Sequence, residues 1–304
     1  MPSLKVIRKR IASTKATQKI TRAMKMVAGA RLTRAQQRIV ALRPYALKTG
    51  EVLQSVALTM GQAAMESEAE ALHPLLAKRP EKKALVLVLS ADRGLCGAFN
   101  TNIAKAAERL WAEKKAAGVS VGFVGLGRKG REYLTRRDAE VMHDFVRIYD
   151  GLDLDKARHV ARWVVARFDK GEVDSVYLVY NEFKSAITQK VNVEPLLPLA
   201  APAPVDGARQ AQAEGIGPTD FLYEPDARAL LERLLPMYVE ISIYRALLES
   251  QASFFGAQMT AMDAATRNAK EMIARLTLSY NRARQAAITK ELMEIIGGAE
   301  ALKS

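Results

Sequence analysis

Gly125-Leu126-Gly127-Arg128-Lys129-Gly130 fits the pattern G-x-G-x-x-G, follows a strand-like run and has Asp150 twenty residues beyond its last glycine. In that setting glycines let a backbone turn close around a pyrophosphate, and the acid takes a ribose hydroxyl. Two features weaken the reading. The preceding strand is not the first of its domain, and the segment after the turn is short and heavily charged. Glycine-rich turns between strand and helix also occur without any ligand.

A second candidate is Ala91-Asp92-Arg93-Gly94-Leu95-Cys96-Gly97-Ala98-Phe99-Asn100, which also follows a strand-like run. Two glycines, an Asp-Arg pair and Asn100 as a helix cap could cradle a phosphate at a helix N-terminus, where Cys96 would be acidified. The plainer reading is a structural turn in which Gly94 and Gly97 supply unusual backbone angles, and no histidine lies in the segment to activate the thiol. His73, His143 and His159 are the only histidines, and none has metal-ligand spacing to another His or Cys. No G-x-x-x-x-G-K-[ST] phosphate loop and no nucleophile–base–acid set can be read. The chain is expected to be non-catalytic, with no cofactor and no metal. Cys96 is the single cysteine, so an intrachain disulfide is impossible.

The elements that would position these turns are strands alternating with helices. Ala84–Ser90 is a continuous apolar run, as in a buried parallel strand. Thr101–Lys115 reads as a helix, Val119–Val124 as a strand and Leu154–Phe168 as a helix. Val173–Asn181 and Ala186–Glu194 read as two neighbouring strands. Together they form an α/β domain over 80–200. Residues 61–82 form a charged connection on one side of it, and the Ala-, Pro- and Gly-rich Ala200–Asp220 a linker on the other.

The two ends of the chain differ from this middle. Met1 to Pro44 carries twelve Lys or Arg and no acid. The net charge of +13 is therefore localised: residues 1–50 hold thirteen of the 46 cations, and the remaining 33 are balanced by 33 acids. A localised positive face suits an acidic partner or serves as a solvated surface. The apolar steps of this first helix fall in three groups: Leu4, Ile7, Ile11; Ile20, Met24, Val27; and Ile39, Leu42. The nine-residue gap after Ile11 turns the stripe by ~180°, so the helix is expected to bury different faces along its length.

From Met237 to Ile296 there is no proline and one glycine. A helix of that length would run ~90 Å, longer than any domain this chain could build. Ala252, Phe255, Met259, Met262, Thr266, Ala269, Ile273, Leu276, Tyr280, Ala283 and Ala287 alternate steps of three and four, the repeat of a coiled-coil seam. The basic first helix is its natural antiparallel partner. The expected fold is thus α/β, with a long antiparallel coiled coil of the N-terminal (1–60) and C-terminal (221–304) helices and an inserted Rossmann-like α/β domain. No run of eighteen apolar residues occurs, which excludes an ordinary membrane-spanning helix.

Two segments carry a more specific signal: Thr17-Gln18-Lys19-Ile20-Thr21-Arg22-Ala23-Met24-Lys25-Met26-Val27-Ala28, and Ile288-Thr289-Lys290-Glu291-Leu292-Met293-Glu294-Ile295-Ile296-Gly297-Gly298-Ala299. With the Asp92–Asn100 turn, they closely resemble the gamma subunit of F-type ATP synthases, in order and over the whole chain. The resemblance implies a central rotor shaft, one copy per complex. Its coiled coil would enter a hexamer of alpha and beta subunits, which hold the catalytic sites. Its α/β domain would sit beside the epsilon subunit and the membrane c ring. Proton flow would turn the ring, and the ring would turn the shaft.

The same resemblance implies residue roles. Arg8, Lys9 and Arg10 would meet acidic beta loops. Arg284, Gln285, Thr289 and Glu291 would be polar contacts of the upper shaft with beta, with Met24 and Lys25 opposite them on the first helix. Ile288, Leu292, Ile295 and Ile296 would rest in an apolar sleeve, and Phe221, Leu222, Tyr223 and Glu224 would lie near the c ring and epsilon. One departure is visible. Where the family commonly places an Arg and, four residues earlier, a Glu, this chain has Gln258 and Phe254, so a contact there would be a neutral hydrogen bond. The resemblance begins by about Leu4. That implies no cleavable leader and a bacterial protein, peripheral at the cytoplasmic face of the inner membrane. Two competing readings remain, a nucleic-acid binder with a basic helical arm and a nucleotide-dependent enzyme. Sparse aromatics among the basic residues weigh against the first.

Overall fold

A computed structural model of the chain describes residues 3–59, 73–199 and 227–301. Five strands form one sheet: β1 Lys83–Leu89, β2 Ser120–Leu126, β3 Val141–Phe145, β4 Ser175–Phe183 and β5 Gln189–Leu197. Their order is β3-β2-β1-β4-β5, with the first four parallel and β5 antiparallel to β4. β1 shows why. Ala84 to Leu89 are all essentially inaccessible. Leu85, Leu87 and Leu89 enter one apolar cluster, and Ala84, Val86 and Val88 enter another. A strand with a two-residue period and no polar face must be covered on both sides.

The first cluster receives α4 (Leu154–Asp169) through Ala157, Val160, Ala161, Val164 and Phe168, with Asp153 capping its first turn. The second receives α2 (Phe99–Ala116) through Phe99, Ile103, Ala107 and Leu110. Between β2 and β3 lies α3, Arg128–Thr135. Sequence periodicity passes over β3 because Met142 and His143 are exposed: it is a short edge strand without an apolar run. The connection ending at residue 82 is not wholly a charged linker. His73 accepts a hydrogen bond from Leu75 N–H and starts a short turn that buries Leu75 and Leu76 in the first cluster.

Two long helices flank the sheet segments in sequence, α1 (Leu4–Thr59) and α5 (Ala227–Ala301). Each carries a proline, Pro44 in α1 and Pro236 in α5. A proline inside a helix costs about 3 kcal/mol locally. In α5 the buried Leu231, Leu235 and Val239 straddle Pro236, and their burial in the first cluster outweighs that cost. The chain divides into two compact units, Ala30–Ala257 and the pair Met1–Gly29 with Gln258–Ser304. In the second unit α1 and α5 run antiparallel: Arg8 meets Tyr280, Thr14 meets Met272, Thr21 meets Thr266 and Lys25 meets Asp263.

The seam on α5 is as the spacing predicts. Ile273, Leu276, Tyr280, Ala283 and Ala287 are half-buried among exposed neighbours. On α1 the strip facing α5 takes in only part of the apolar groups. The shielded positions include Leu4, Ile7, Ile11, Thr14, Gln18, Thr21, Lys25, Ala28, Leu32, Ala35, Ile39 and Leu42, a continuous alternation of three and four, with Met24 and Gly29 half-buried beside it. Ile20 and Val27 point outward, 60% and 52% exposed. The seam keeps one side and becomes polar in its middle.

Candidate partner interface

The two glycine-bearing turns come together at the carboxyl end of β1. Gly127 has φ +106°, and a Cβ there would stand 2.0 Å from the Ser90 carbonyl oxygen, so only glycine fits. The first amides of α3 are already taken. Arg128 N–H donates to Asp92 Oδ1 at 3.0 Å, Lys129 N–H to Ala91 O at 3.1 Å and Gly130 N–H to Ser90 Oγ at 2.7 Å. These are the donors that would hold a pyrophosphate, and here they bind the end of β1. Asp150, the would-be ribose ligand, pairs with Arg147 at 3.0 Å.

The Ala91–Asn100 turn is also held internally. Asn100 is not the cap: α2 starts at Phe99 after Ala98. Its Oδ1 accepts from Ala91 N–H, and its Nδ2 donates to Arg93 O and to Cys96 Sγ. Cys96 is buried, and that burial pushes its thiol pKa up rather than down. The electrostatics therefore oppose an activated nucleophile. No cluster of three or more His, Cys, Asp or Glu able to hold a metal exists among the described residues.

The helix α5 passes the same strand ends. Ser250 Oγ donates to Leu89 O at 3.0 Å and Ser253 Oγ donates to Asn181 O at 3.0 Å, with both serines fully buried. In this strand order the crossovers from β1 and from β3 leave in opposite directions, so the switch point lies between β1 and β4. That is where doubly wound sheets take their ligands. Here the helix covers it.

The sequence-derived contact residues distribute as follows. Arg8 donates to Tyr280 Oη at 2.8 Å, and its guanidinium lies 5.7 Å from that ring's centre. The bond and the charge raise the Arg8 pKa and lower that of Tyr280. Lys9 and Arg10 are exposed. Lys25 pairs with Asp263 at 2.5 Å, and Arg267 approaches the same carboxylate at 3.5 Å. Lys25 and Met24 are therefore level with the Asp263 turn and not opposite Arg284, Gln285, Thr289 or Glu291. The antiparallel register places Arg8, not Lys25, beside Tyr280. Met24 and Gln258 are half-buried, while Arg284, Gln285, Thr289 and Glu291 are exposed. Phe254 packs its ring on Phe99 at 5.7 Å and on Phe255 at 5.3 Å. Phe221, Leu222, Tyr223 and Glu224 lie outside the described residues.

At the end of α5, Ile288, Leu292, Met293, Ile295 and Ile296 are 49–68% exposed. A run of large apolar side chains left uncovered on one helix end marks a surface that another molecule covers. Sequence reasoning placed Thr266 and Tyr280 in the seam without their partners and missed Asp263, the partner of Lys25. Their spacing from Arg8, Lys25 and Thr21, once the helices are taken as antiparallel, would have given them.

A family model described as ATP synthase matches residues 3–302. The ATP synthase gamma chain of Sorangium cellulosum is 57% identical over 323 residues, covering 100% of each chain. This chain belongs to the ATP synthase gamma chain family. The gamma chain of Anaeromyxobacter sp. (strain K) is 48% identical, again over the full length of both. Among solved structures, the central stalk of the Tetrahymena thermophila mitochondrial ATP synthase is 26% identical with a TM-score of 0.62, covering 81% of this chain and 99% of that one. A rotor chain of the Euglena gracilis enzyme shares the fold at 16% identity, with a TM-score of 0.62 over 94% of this chain and 98% of that one. As a gamma subunit the chain is a central-stalk rotor component of an ATP synthase, a membrane-associated complex. No helix among the described residues is long and apolar enough to cross a membrane.

Proposed function

We propose that this gamma chain is a non-catalytic shaft. It carries torque between a membrane c ring and a hexamer of alpha and beta subunits, with epsilon beside its α/β domain, in one copy per complex. The observation that carries the reading is the single helix α5. One stretch of it is sunk among buried residues, and the other ends in exposed Ile288, Leu292, Ile295 and Ile296. Apolar side chains seated in an apolar sleeve bind without direction, so they resist rotation less than fixed hydrogen bonds would. The engaged amides of the glycine turn and the raised thiol pKa of Cys96 support the non-catalytic part.

Exposed Lys9 and Arg10, and Arg8 held by Tyr280, supply the positive face that acidic beta loops would meet. Arg284, Gln285, Thr289 and Glu291 stand exposed as polar contacts of the upper shaft. Lys25 would act from the seam, and Met24 and Gln258 from beside it. The segment Phe221–Glu224 would contact the c ring and epsilon. Bacterial relatives favour a place at the cytoplasmic face of the inner membrane, with the protein peripheral to it.

Reconstitution tests this. The full chain should complete an alpha-beta hexamer and a c ring into a complex whose ATP synthesis depends on it, while the chain alone hydrolyses no ATP. Replacing Ile288, Leu292, Ile295 and Ile296 together by serine should leave the folded chain intact and reduce ATP synthesis per ion translocated. A chain that never joins a hexamer refutes the proposal.

A further inference from the structure

A crevice of about 150 Å³ remains beside the covered switch point, at the carboxyl end of β1. Its lining includes Phe99, Phe254 and Phe255, whose rings contact one another in sequence at 5.7 Å and 5.3 Å. An apolar cavity of about this size holds one benzene molecule in an engineered protein. The space suits a single six-membered ring.

The polar side of the crevice carries two acids and two arginines. Its acids are committed: Asp92 Oδ1 accepts Arg128 N–H and Arg147 N–H, and Asp150 pairs with Arg147. Its arginines are held less closely. Arg31 lies over the Phe255 ring at 5.8 Å, and Arg93 acts on Asp150 by charge, adding to the Arg147 bond that lowers that carboxyl's pKa, without closing an ion pair among the described residues. Both are exposed, so each can turn its planar fork onto an incoming anion. Gln251, which donates to Tyr149 O, closes the inner wall.

We propose that this crevice binds a single-ring aromatic carboxylate of the benzoate class, its ring among Phe99, Phe254 and Phe255 and its carboxylate against Arg31 and Arg93. The site differs from the shaft contacts and does not rest on them. It uses the place where this sheet architecture holds ligands, reduced to what α5 leaves open.

The test is a titration of the full-length chain with 4-fluorobenzoate, followed by fluorine NMR and calorimetry. 4-Fluorobenzamide serves as the uncharged control. Saturable binding of the carboxylate, at least about tenfold tighter than the amide, is expected from a charge-assisted arginine pair. Arg31→Gln with Arg93→Gln should abolish that preference, and since both side chains are exposed the double variant should fold normally, which circular dichroism checks. No saturable binding, equal affinity for acid and amide, or an unchanged preference in the double variant would overturn the proposal. The same titration on the assembled ATP synthase separates two sources of this chemistry. Retained binding supports a small-molecule site. Loss of binding there assigns the crevice to a partner's side chain and overturns it.

Discussion

The two halves of α5 are made by the same helix and held by different means. Between Leu231 and Ala257 it is enclosed: Leu235, Val239, Ile243, Ala246, Leu247 and Leu248 are at most 4% exposed. Beyond Lys270 the described side chains are exposed except Ile273, Leu276, Tyr280, Ala283 and Ala287. The first half gains its stability from apolar area removed on several sides. The second depends on one narrow strip against α1, with polar groups set into it. A helix does not need uniform burial to persist, because propagation is inexpensive once part of it is fixed by packing.

The contrast can be broken most directly by truncating one leucine in each half. Leu247→Ala should cost about 2–5 kcal/mol in denaturant unfolding of the full chain. Leu278→Ala, at a position 61% exposed, should change stability by less than about 0.5 kcal/mol. Equal losses would mean the two halves are not held differently.

A smaller effect is expected at the buried hydroxyls. Ser253→Ala leaves the Asn181 carbonyl without its helix donor, and Ser250→Ala does the same to Leu89. Each should cost about 1–3 kcal/mol, measured by the same unfolding. Thr277→Ala in the other half removes a bond only to its own helix, Ile273 O, and should cost less than either.

Glu249 gives a pH test. Burial raises its pKa, Glu182 and Glu194 add to the rise, and Arg245 and Lys184 oppose it. Because the folded pKa lies above the unfolded one, the native state holds its proton longer. Its contribution is fully present below the unfolded carboxylate pKa and is lost as pH rises through the raised value. Glu249→Gln should therefore match the parent in melting temperature at acidic pH and exceed it at neutral pH. A gap that closes with rising pH would contradict the assignment.

The smallest effect belongs to the seam. Lys25→Ala or Asp263→Ala should barely move the melting temperature, since the pair is partly exposed and screened. The exchange Lys25→Asp with Asp263→Lys should restore any loss, whereas either single charge reversal should weaken the α1–α5 pairing. A double-mutant cycle measures the coupling.

Why the sequence disclosed some of this and hid the rest follows from where polar residues fall. The Ala84–Leu89 run can only be a strand buried on both faces, and the α5 seam keeps strict spacing even though its members are small. On α1 the reverse holds. Thr14, Gln18, Thr21 and Lys25 occupy seam positions while Ile20 and Val27 face outward, so the apolar residues mark a second face beside the seam. Partner-covered surfaces do this, because an outward isoleucine is a defect only in a chain that acts alone. Strand β3 escaped notice because an edge strand needs no apolar alternation. The glycine turn drew attention as a nucleotide motif, but its amides proved to be committed to Ser90, Ala91 and Asp92.

The two serine hydroxyls under α5 have a mechanical meaning. They fasten the helix to neighbouring strand termini at points one turn apart, on the side facing the sheet. A twist applied about the helix axis would have to shear both fastenings and slide buried leucines across β1 before the helix could spin in place. The sheet is thereby geared to the rod and must be carried round with it.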